Sequence, residues 1–167
     1  LIILAAIFVI GSFFVGTFNK LQVMDENVSA NWAQVENQLK RRNDLIPNFV
    51  NTVKGYAAHE KEVFTNIADA RAKLSGSINS KDVKAVQQNA GELNSALSRL
   101  LAIAENYPQL KADKSFIALK DELAGTENRI AVARRDYNES VKSINALIRT
   151  FPTALVAAIS GVKQREY

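Results

Sequence analysis

The first charged residue of this chain is Lys20, and the segment before it constrains the fold more than any other feature. Residues 1–18 are apolar apart from Gly, Ser and Thr. As an α-helix such a segment is about 27 Å long, close to the ~30 Å thickness of the hydrocarbon core of a bilayer. We therefore predict that residues 1–18 form a transmembrane helix.

Two other interpretations of this segment fit the sequence less well. The apolar part of a cleaved signal peptide is about 7–15 residues long and precedes a cleavage site with small residues. Residues 1–18 form a longer run, and Gly16-Thr17-Phe18 is a poor cleavage site. A helix buried in a soluble core rarely lacks charge over this length. Because the chain begins with Leu, we expect residues upstream to carry the charges that set membrane orientation, which the sequence leaves open.

The remainder of the chain has the composition of a helical protein. It contains seven Gly and three Pro in 167 residues, and no segment is typical of a β-strand. The absence of Cys excludes disulfides, thiolate metal sites and cysteine nucleophiles. A net charge of +4 is too small to indicate a nucleic-acid partner. We predict an all-α fold, with the transmembrane helix running into an antiparallel bundle of three to four long helices over residues 19–167.

Apolar residues recur every three or four positions and indicate where the helices lie. The pattern keeps its phase past Pro47, so we predict one helix over residues 19–74 that is kinked near residues 44–47. A tight helical hairpin at residues 41–47 is the alternative, which the lack of Gly there disfavours. A Ser- and Gly-rich turn is predicted at residues 75–80. Further helices are predicted over residues 81–105, 113–150 and 153–160.

The apolar stripe of the first helix continues from the membrane segment into the bundle without losing phase. Such a stripe is not stable in water, so either the domain folds back over it or other copies of the chain bury it. On this ground we expect a homo-oligomer.

Four charged residues interrupt the apolar stripes: Glu60, Arg71, Glu127 and Arg134. In one interpretation their charged groups reach water at the edge of the stripe. In the other they form a buried polar cluster that fixes helix register, with Arg71 and Glu127 as the favoured pair.

Two further surface segments have open interpretations. The basic patch Lys40, Arg41 and Arg42 is either solvated or contacts anionic lipid headgroups or an acidic partner. A continuous helix would place it ~35 Å beyond Phe18, so contact with the same bilayer would require a bend. Residues 151–162 carry no charge and are too short to span a bilayer. They either pack on the bundle, enter a membrane surface or contact a partner.

No pattern in the sequence points to catalysis or to a cofactor. His59 is the only His, and a helical zinc motif would need a second His where Val63 stands. A di-iron bundle would need Glu at the position of Tyr56 and a second His. We therefore expect a non-enzymatic protein with no metal, cofactor, small-molecule substrate or nucleic-acid partner.

Several segments in order along the chain resemble the LemA family of bacterial membrane proteins. They are WAQVENQL (32–39), RRNDLIPN (41–48), VKGYAAHE (53–60), AR (70–71), AENYPQLK (104–111), TENRI (126–130), RRDYN (134–138) and FP (151–152). The main departure from the family pattern is Phe49, where the family more often has Leu, a conservative difference.

The resemblance implies a single-pass protein of the bacterial cytoplasmic membrane with an N-terminal anchor and an all-helical bundle. A short N-terminus outside would place the bundle in the cytoplasm. It implies no enzymatic activity and assigns no catalytic residue.

The sequence as a whole leads to three hypotheses: a self-associating scaffold that shapes the membrane, an adaptor subunit for a membrane protease or other membrane enzyme, and, least favoured, a hydrolase with a pocket around His59, Glu60 or Tyr137. In each, the lipid bilayer is a partner.

Overall fold

A computed structural model describes residues 2–167, and within that range the chain is helical without a β-strand. The all-α prediction is therefore confirmed. Leu1, the first residue of the predicted transmembrane helix, lies outside the described residues. The helices are α1 (Ile2–Lys54), α2 (Lys61–Ser80), α3 (Val83–Ala104), α4 (Pro108–Lys111), α5 (Lys114–Leu147) and α6 (Thr153–Ser160).

Helix α1 continues through Pro47, but the predicted helix over residues 19–74 is wrong beyond Lys54. The chain leaves the helix at Gly55, where a Cβ atom would lie only 3.3 Å from the carbonyl oxygen of Thr52. Gly also has the lowest helix propensity after Pro. Ala57 is buried in the connection and continues the apolar spacing, which is why the pattern kept its phase across a break.

The predicted turn at residues 75–80 is also wrong, because α2 extends through Ser80. Burial of Ser77 and Ile78 holds this segment in the helix. The Ser77 hydroxyl donates to the Leu74 carbonyl at 2.9 Å, so this buried hydroxyl has a hydrogen-bond partner. The turn comes at Lys81, whose φ is 56°, and Asp82 then caps α3 by accepting from the Ala85 N–H.

The later boundaries agree more closely with prediction. Asp113 accepts from the Phe116 N–H at 2.9 Å and so caps α5, which ends at Leu147 rather than residue 150. Helix α6 has the predicted bounds and is followed by Gly161 at φ 72°. The four-residue helix α4, with Pro108 at its start, was not predicted.

The chain divides into two compact units. The terminal unit comprises the residues up to Val35 together with Val132–Tyr167, and the central unit comprises Glu36–Ala131. In the terminal unit α1 and α5 are antiparallel, because Trp32 contacts Tyr137 while Leu21 shares a cluster with Leu147 at the end of α5.

In the central unit, the C-terminal part of α1 and the N-terminal part of α5 are likewise antiparallel. Arg42 pairs with Glu127, and the rings of Phe49 and Phe116 stack with centroids 5.4 Å apart. Helices α2 and α3 form a hairpin within this unit, in which Lys73 pairs with Glu92.

The apolar stripe of α1 is covered by the chain itself from Leu21 onward. Leu21, Val28 and Val35 are buried in the terminal unit, and Leu39, Ile46 and Val53 in the central unit. Of the two outcomes expected for the stripe, the structure has the first, so this stripe no longer provides a reason for self-association. Residues 2–13 are different, since all of them are exposed.

Candidate functional site

The beginning of α1 is an extended exposed apolar surface. Of the described residues, only α1 contains a helical segment long and apolar enough to cross a membrane, and none of that segment is buried. Ile2 and Phe8 are 86% and 75% exposed. A soluble domain seldom exposes so many contiguous apolar side chains. This surface is suited to lipid, in which a helix with all its backbone groups hydrogen-bonded is stable.

Helix α6 packs beside the end of this apolar segment. Val156 and Ala157 form a cluster with Leu21, and Phe14 and Phe18 pack against it. The opposite side of α6 is exposed and apolar. Its exposed large side chains are Leu155 and Ile159, and Phe151, just before the helix, is exposed as well.

The C-terminal tail is fixed to α1 and α5 of the terminal unit. The Arg165 guanidinium donates to both carboxylate oxygens of Asp25 at 2.6 and 2.7 Å, which raises the pKa of Arg165. The Asn145 side chain pairs with the Arg165 backbone by two hydrogen bonds of 2.9 Å. The Tyr137 hydroxyl donates to the Glu166 carbonyl at 2.6 Å, and burial raises the pKa of Tyr137. The tail is thus a structural part of the unit.

In the central unit, Pro47 creates a polar feature inside α1. Pro has no N–H, so the carbonyl four residues earlier, that of Asn43, lacks its helical donor. Arg71 of α2 supplies one, with Nε 3.0 Å from the Asn43 oxygen. The Asn43 amide also donates to the Ser75 hydroxyl at 2.9 Å. Asn43 is buried, so these bonds satisfy groups that water does not reach.

A second polar group of the central unit joins three helices. Arg42 of α1 donates to Asn94 of α3 and to Glu127 of α5. The Arg42 side chain is 11% exposed, whereas that of Glu127 is 44% exposed. A cavity of about 330 Å³ lies beside this group, lined mainly by apolar side chains such as Leu97 and Leu123. Arg42 thus joins α1 to α3 and α5 beside an apolar cavity.

The connection between α1 and α2 is held by two tyrosines. The Tyr56 hydroxyl donates to Asp113 at 2.8 Å, and the Tyr107 hydroxyl donates to Glu60 at 3.3 Å. Hydrogen bonds from the Phe116 N–H and the Tyr56 hydroxyl lower the pKa of Asp113, and the same Asp113 bond raises the pKa of Tyr56.

The four charged residues predicted as a cluster do not come together. Glu60, Arg71 and Glu127 lie in the central unit with different partners, and Arg134 belongs to the terminal unit. The favoured pair of Arg71 with Glu127 is wrong: Glu127 takes Arg42 as its cation, and Arg71 donates to the Asn43 carbonyl. The Nε of Arg134 is buried without a hydrogen-bond partner.

The predicted basic patch is divided by the structure. Lys40 is exposed, Arg41 reaches Glu122 at 3.5 Å, and Arg42 points inward to Glu127. Sequence reasoning missed the inward role of Arg42 and the partners Asn43, Asn94 and Arg165. The proline four residues after Asn43 was the available signal for the Asn43 carbonyl.

The structure also describes the three residues that were considered for chemistry. His59 is exposed in the connection between α1 and α2. Glu60 and Tyr137, the other residues of the hydrolase hypothesis, are hydrogen-bonded to Tyr107 and to the Glu166 carbonyl. Across residues 2–167 no group of three His, Cys, Asp or Glu side chains could hold a metal ion.

Comparison with known proteins identifies relatives along most of the chain. It is 28% identical to Magnetosome protein MamQ 2 of Paramagnetospirillum magneticum and to Magnetosome protein MamQ of Magnetospirillum gryphiswaldense, in each case over 90% of this chain and 64% of the relative. The chain thus spans less than two thirds of the length of these two relatives.

A shorter relative and a family match complete the comparison. The chain is 31% identical to Protein LemA of Metamycoplasma hominis, over 93% of this chain and 71% of that protein. The sequence pattern of the LemA family matches residues 31–167, which contain the contacts of Arg42, Arg71 and Tyr137 described above. With an unburied apolar N-terminal helix and a match over most of its length, this chain is a membrane-associated protein that belongs to the LemA family.

Proposed function

We propose that this protein is a non-enzymatic interaction protein, anchored in the bacterial cytoplasmic membrane by residues 1–18, that self-associates and scaffolds or shapes the membrane. The observation that carries the proposal is the exposed apolar start of α1, which continues without a break into a folded helical unit. A chain built in this way holds its folded part at a fixed place next to the bilayer.

The state of the polar side chains supports a structural role. Arg42, Arg71 and Arg165 are bound to Glu127, to the Asn43 carbonyl and to Asp25. Each of these contacts joins two helices, or a helix and the tail. Groups used in this way stabilise a scaffold, whereas a catalytic site needs reactive groups directed toward a substrate.

The names of two relatives refer to a cellular structure. Two of those compared carry the name magnetosome protein. Because this chain spans only 64% of their length, the role assigned here to its own domain is a proposal.

Energy transfer between labelled copies in liposomes tests self-association. The chain has no Cys, so Ile117→Cys, at an exposed position of α5, provides one labelling site. The full chain is labelled with donor or acceptor, mixed and reconstituted. We expect energy transfer that persists when lipid is added in excess and that falls when unlabelled protein is added. Transfer that falls in proportion to lipid dilution would mean a monomer.

Electron microscopy of the same vesicles tests membrane shaping. Dense protein should produce ordered assemblies or deformed bilayers, whereas smooth vesicles at high protein density would count against this role. Purification of the full chain from membranes in fixed ratio with a different polypeptide, together with the monomer result, would favour an adaptor subunit instead.

A further inference from the structure

We propose that α6 is a second lipid-contacting element, which lies in the headgroup region of the leaflet where α1 leaves the membrane. The inference rests on the proposed anchoring of α1 and adds to it a second site of lipid contact at the opposite end of the chain. It concerns the terminal unit alone, which contains both α6 and the start of α1.

The exposed side of α6 has the chemistry of a lipid-facing surface. Phe151, Leu155 and Ile159 are 82%, 59% and 74% exposed. Leu155 and Ile159 are four residues apart and so lie on one side of α6, and Phe151 precedes the helix by two residues. Residues 151–162 contain no charged side chain. Large apolar side chains grouped in this way are unfavourable in water and favourable at the boundary between headgroups and acyl chains.

The position of α6 relative to α1 places this surface at the membrane boundary. Its inner side, Val156 and Ala157, clusters with Leu21, Phe14 and Phe18. Phe14 precedes Lys20, the first charged residue, by six residues or about 9 Å of helix. A bilayer that covers the whole uncharged segment of α1 must also cover α6, which packs beside Phe14 and Phe18. Interfacial helices bury their apolar side by about 5–10 Å, which matches this distance.

Charged residues next to α6 fit the headgroup layer. Arg149 precedes the uncharged segment, Lys163 follows it, and both are exposed. Long cationic side chains reach from an apolar surface toward phosphate groups. The lipid surface is therefore the occupant we assign. It explains why the exposed side of α6 adjoins the apolar surface of α1, since one bilayer would cover both.

Labels on α6 in the full chain test the proposal. Leu155→Cys and Ile159→Cys each provide a site for an environment-sensitive fluorophore, and both residues are exposed, so the label does not disturb the core. The protein is reconstituted at low protein-to-lipid ratio in vesicles of phosphatidylcholine and phosphatidylglycerol. Quenching is measured with nitroxide-labelled lipids and, separately, with iodide in the water phase.

Two matched positions serve as controls. Val9→Cys reports on the exposed part of α1 within the predicted anchor, and Ile117→Cys reports on an exposed aliphatic side chain of the central unit. We expect the labels on α6 to have blue-shifted emission and to be quenched by shallow nitroxide lipids. Iodide should quench them much less than it quenches the Ile117 label. The Val9 label should be quenched by deeper nitroxides, and the Ile117 label by iodide alone.

The controls separate failure of this inference from failure of the anchor. Labels on α6 that iodide quenches as strongly as at Ile117, with lipid quenching retained at Val9, would overturn the inference and leave the anchor intact. Labels on α6 that neither quencher reaches would mean that a second copy covers α6, which also overturns it. Iodide quenching at Val9 would contradict the anchor itself.

Discussion

Asn43, Pro47 and Arg71 are linked by one missing backbone N–H donor, that of Pro47. Pro47 removes the donor for the Asn43 carbonyl, and Arg71 Nε takes its place at 3.0 Å. The helix can therefore pass through a proline without leaving the buried backbone carbonyl of Asn43 unsatisfied. The two residues that appear unrelated in sequence, Pro47 and Arg71, act on the same oxygen.

Arg71→Ala should lower the free energy of unfolding by about 1–3 kcal/mol, because it leaves the buried Asn43 carbonyl without a donor. In a Pro47→Ala background the same change should cost less, since residue 47 then supplies the N–H. Urea unfolding of the detergent-solubilised full chain, followed by circular dichroism, measures both values. Equal costs in the two backgrounds would contradict the coupling. Arg99→Ala, at an exposed position of α3, is the control and should change stability little.

Asp113 should contribute to the loss of stability in acid. Its pKa is lowered in the folded chain by the Phe116 N–H and the Tyr56 hydroxyl. A carboxyl of this kind stabilises the fold above its unfolded pKa of about 3.9 and loses that contribution as pH falls through the lower folded value. Asp113→Asn keeps an oxygen acceptor but does not titrate in this range.

The thermal midpoint of Asp113→Asn should therefore fall less steeply than that of the unsubstituted chain as pH is lowered from 5 to 3. Asp121→Asn, at an exposed position of the same helix, should leave the slope unchanged. A slope for Asp113→Asn equal to that of the unsubstituted chain would show that its hydrogen bonds do not favour the charged form.

At the scale of elements, the sequence predicted helix starts better than the break after α1. Asp113 and the Pro152–Gly161 bounds of α6 carry strong local signals, and the structure follows them. The break at Gly55 was missed because buried Ala57 continues the apolar spacing through a connection that is not helical. The turn predicted at residues 75–80 was wrong because burial of Ser77 and Ile78 outweighs the turn preference of Ser and Gly.

The polar contacts were harder to predict than the helices. Apolar spacing marks Arg71 and Glu127 as charges near a core, but it does not say which helix each faces. The actual partners are Asn43 and Arg42, which are adjacent on α1. They face different helices: the Arg42 side chain donates to Glu127 of α5, and the Asn43 carbonyl accepts from Arg71 of α2.

Asn145→Ala should release the C-terminal tail while leaving α5 intact. The change removes both hydrogen bonds to the Arg165 backbone, which together contribute about 1–3 kcal/mol. Amide hydrogen exchange at Arg165 should become roughly 5- to 100-fold faster. Asn138→Ala, at an exposed position of α5, should leave exchange in the tail unchanged. Equal exchange in Asn145→Ala and the unsubstituted chain would mean that Asp25 alone holds Arg165.

At the scale of the whole molecule, the two apolar surfaces of α1 differ in burial. From Leu21 onward the chain covers its own stripe, whereas residues 2–13 stay exposed. The sequence predicted both segments as apolar helix, yet it could not tell that one is buried by the chain. That distinction depends on α5 and α6, whose contacts with α1 join residues far apart in sequence.

Val9→Lys should weaken membrane insertion. A Lys at the centre of a spanning helix costs about 2.5–3.5 kcal/mol, close to a 100-fold change in the insertion equilibrium. Flotation of the full chain with liposomes should show less protein in the lipid fraction. Val132→Lys, at an exposed apolar position of α5, is the control and should float as the unsubstituted chain does. Full flotation of Val9→Lys after alkaline extraction would argue against residues 2–18 as the anchor.

The bond between Asp25 and Arg165 joins residues 140 positions apart, and it sets an order of assembly during synthesis. The first half of the terminal unit is synthesised before the central unit, and its second half, with α6 and the tail, is synthesised after it. The central unit lies between them in sequence and can fold while translation continues. Arg165 can reach Asp25 only after the intervening residues have been synthesised, so a nascent chain truncated before Arg165 carries an incomplete terminal unit.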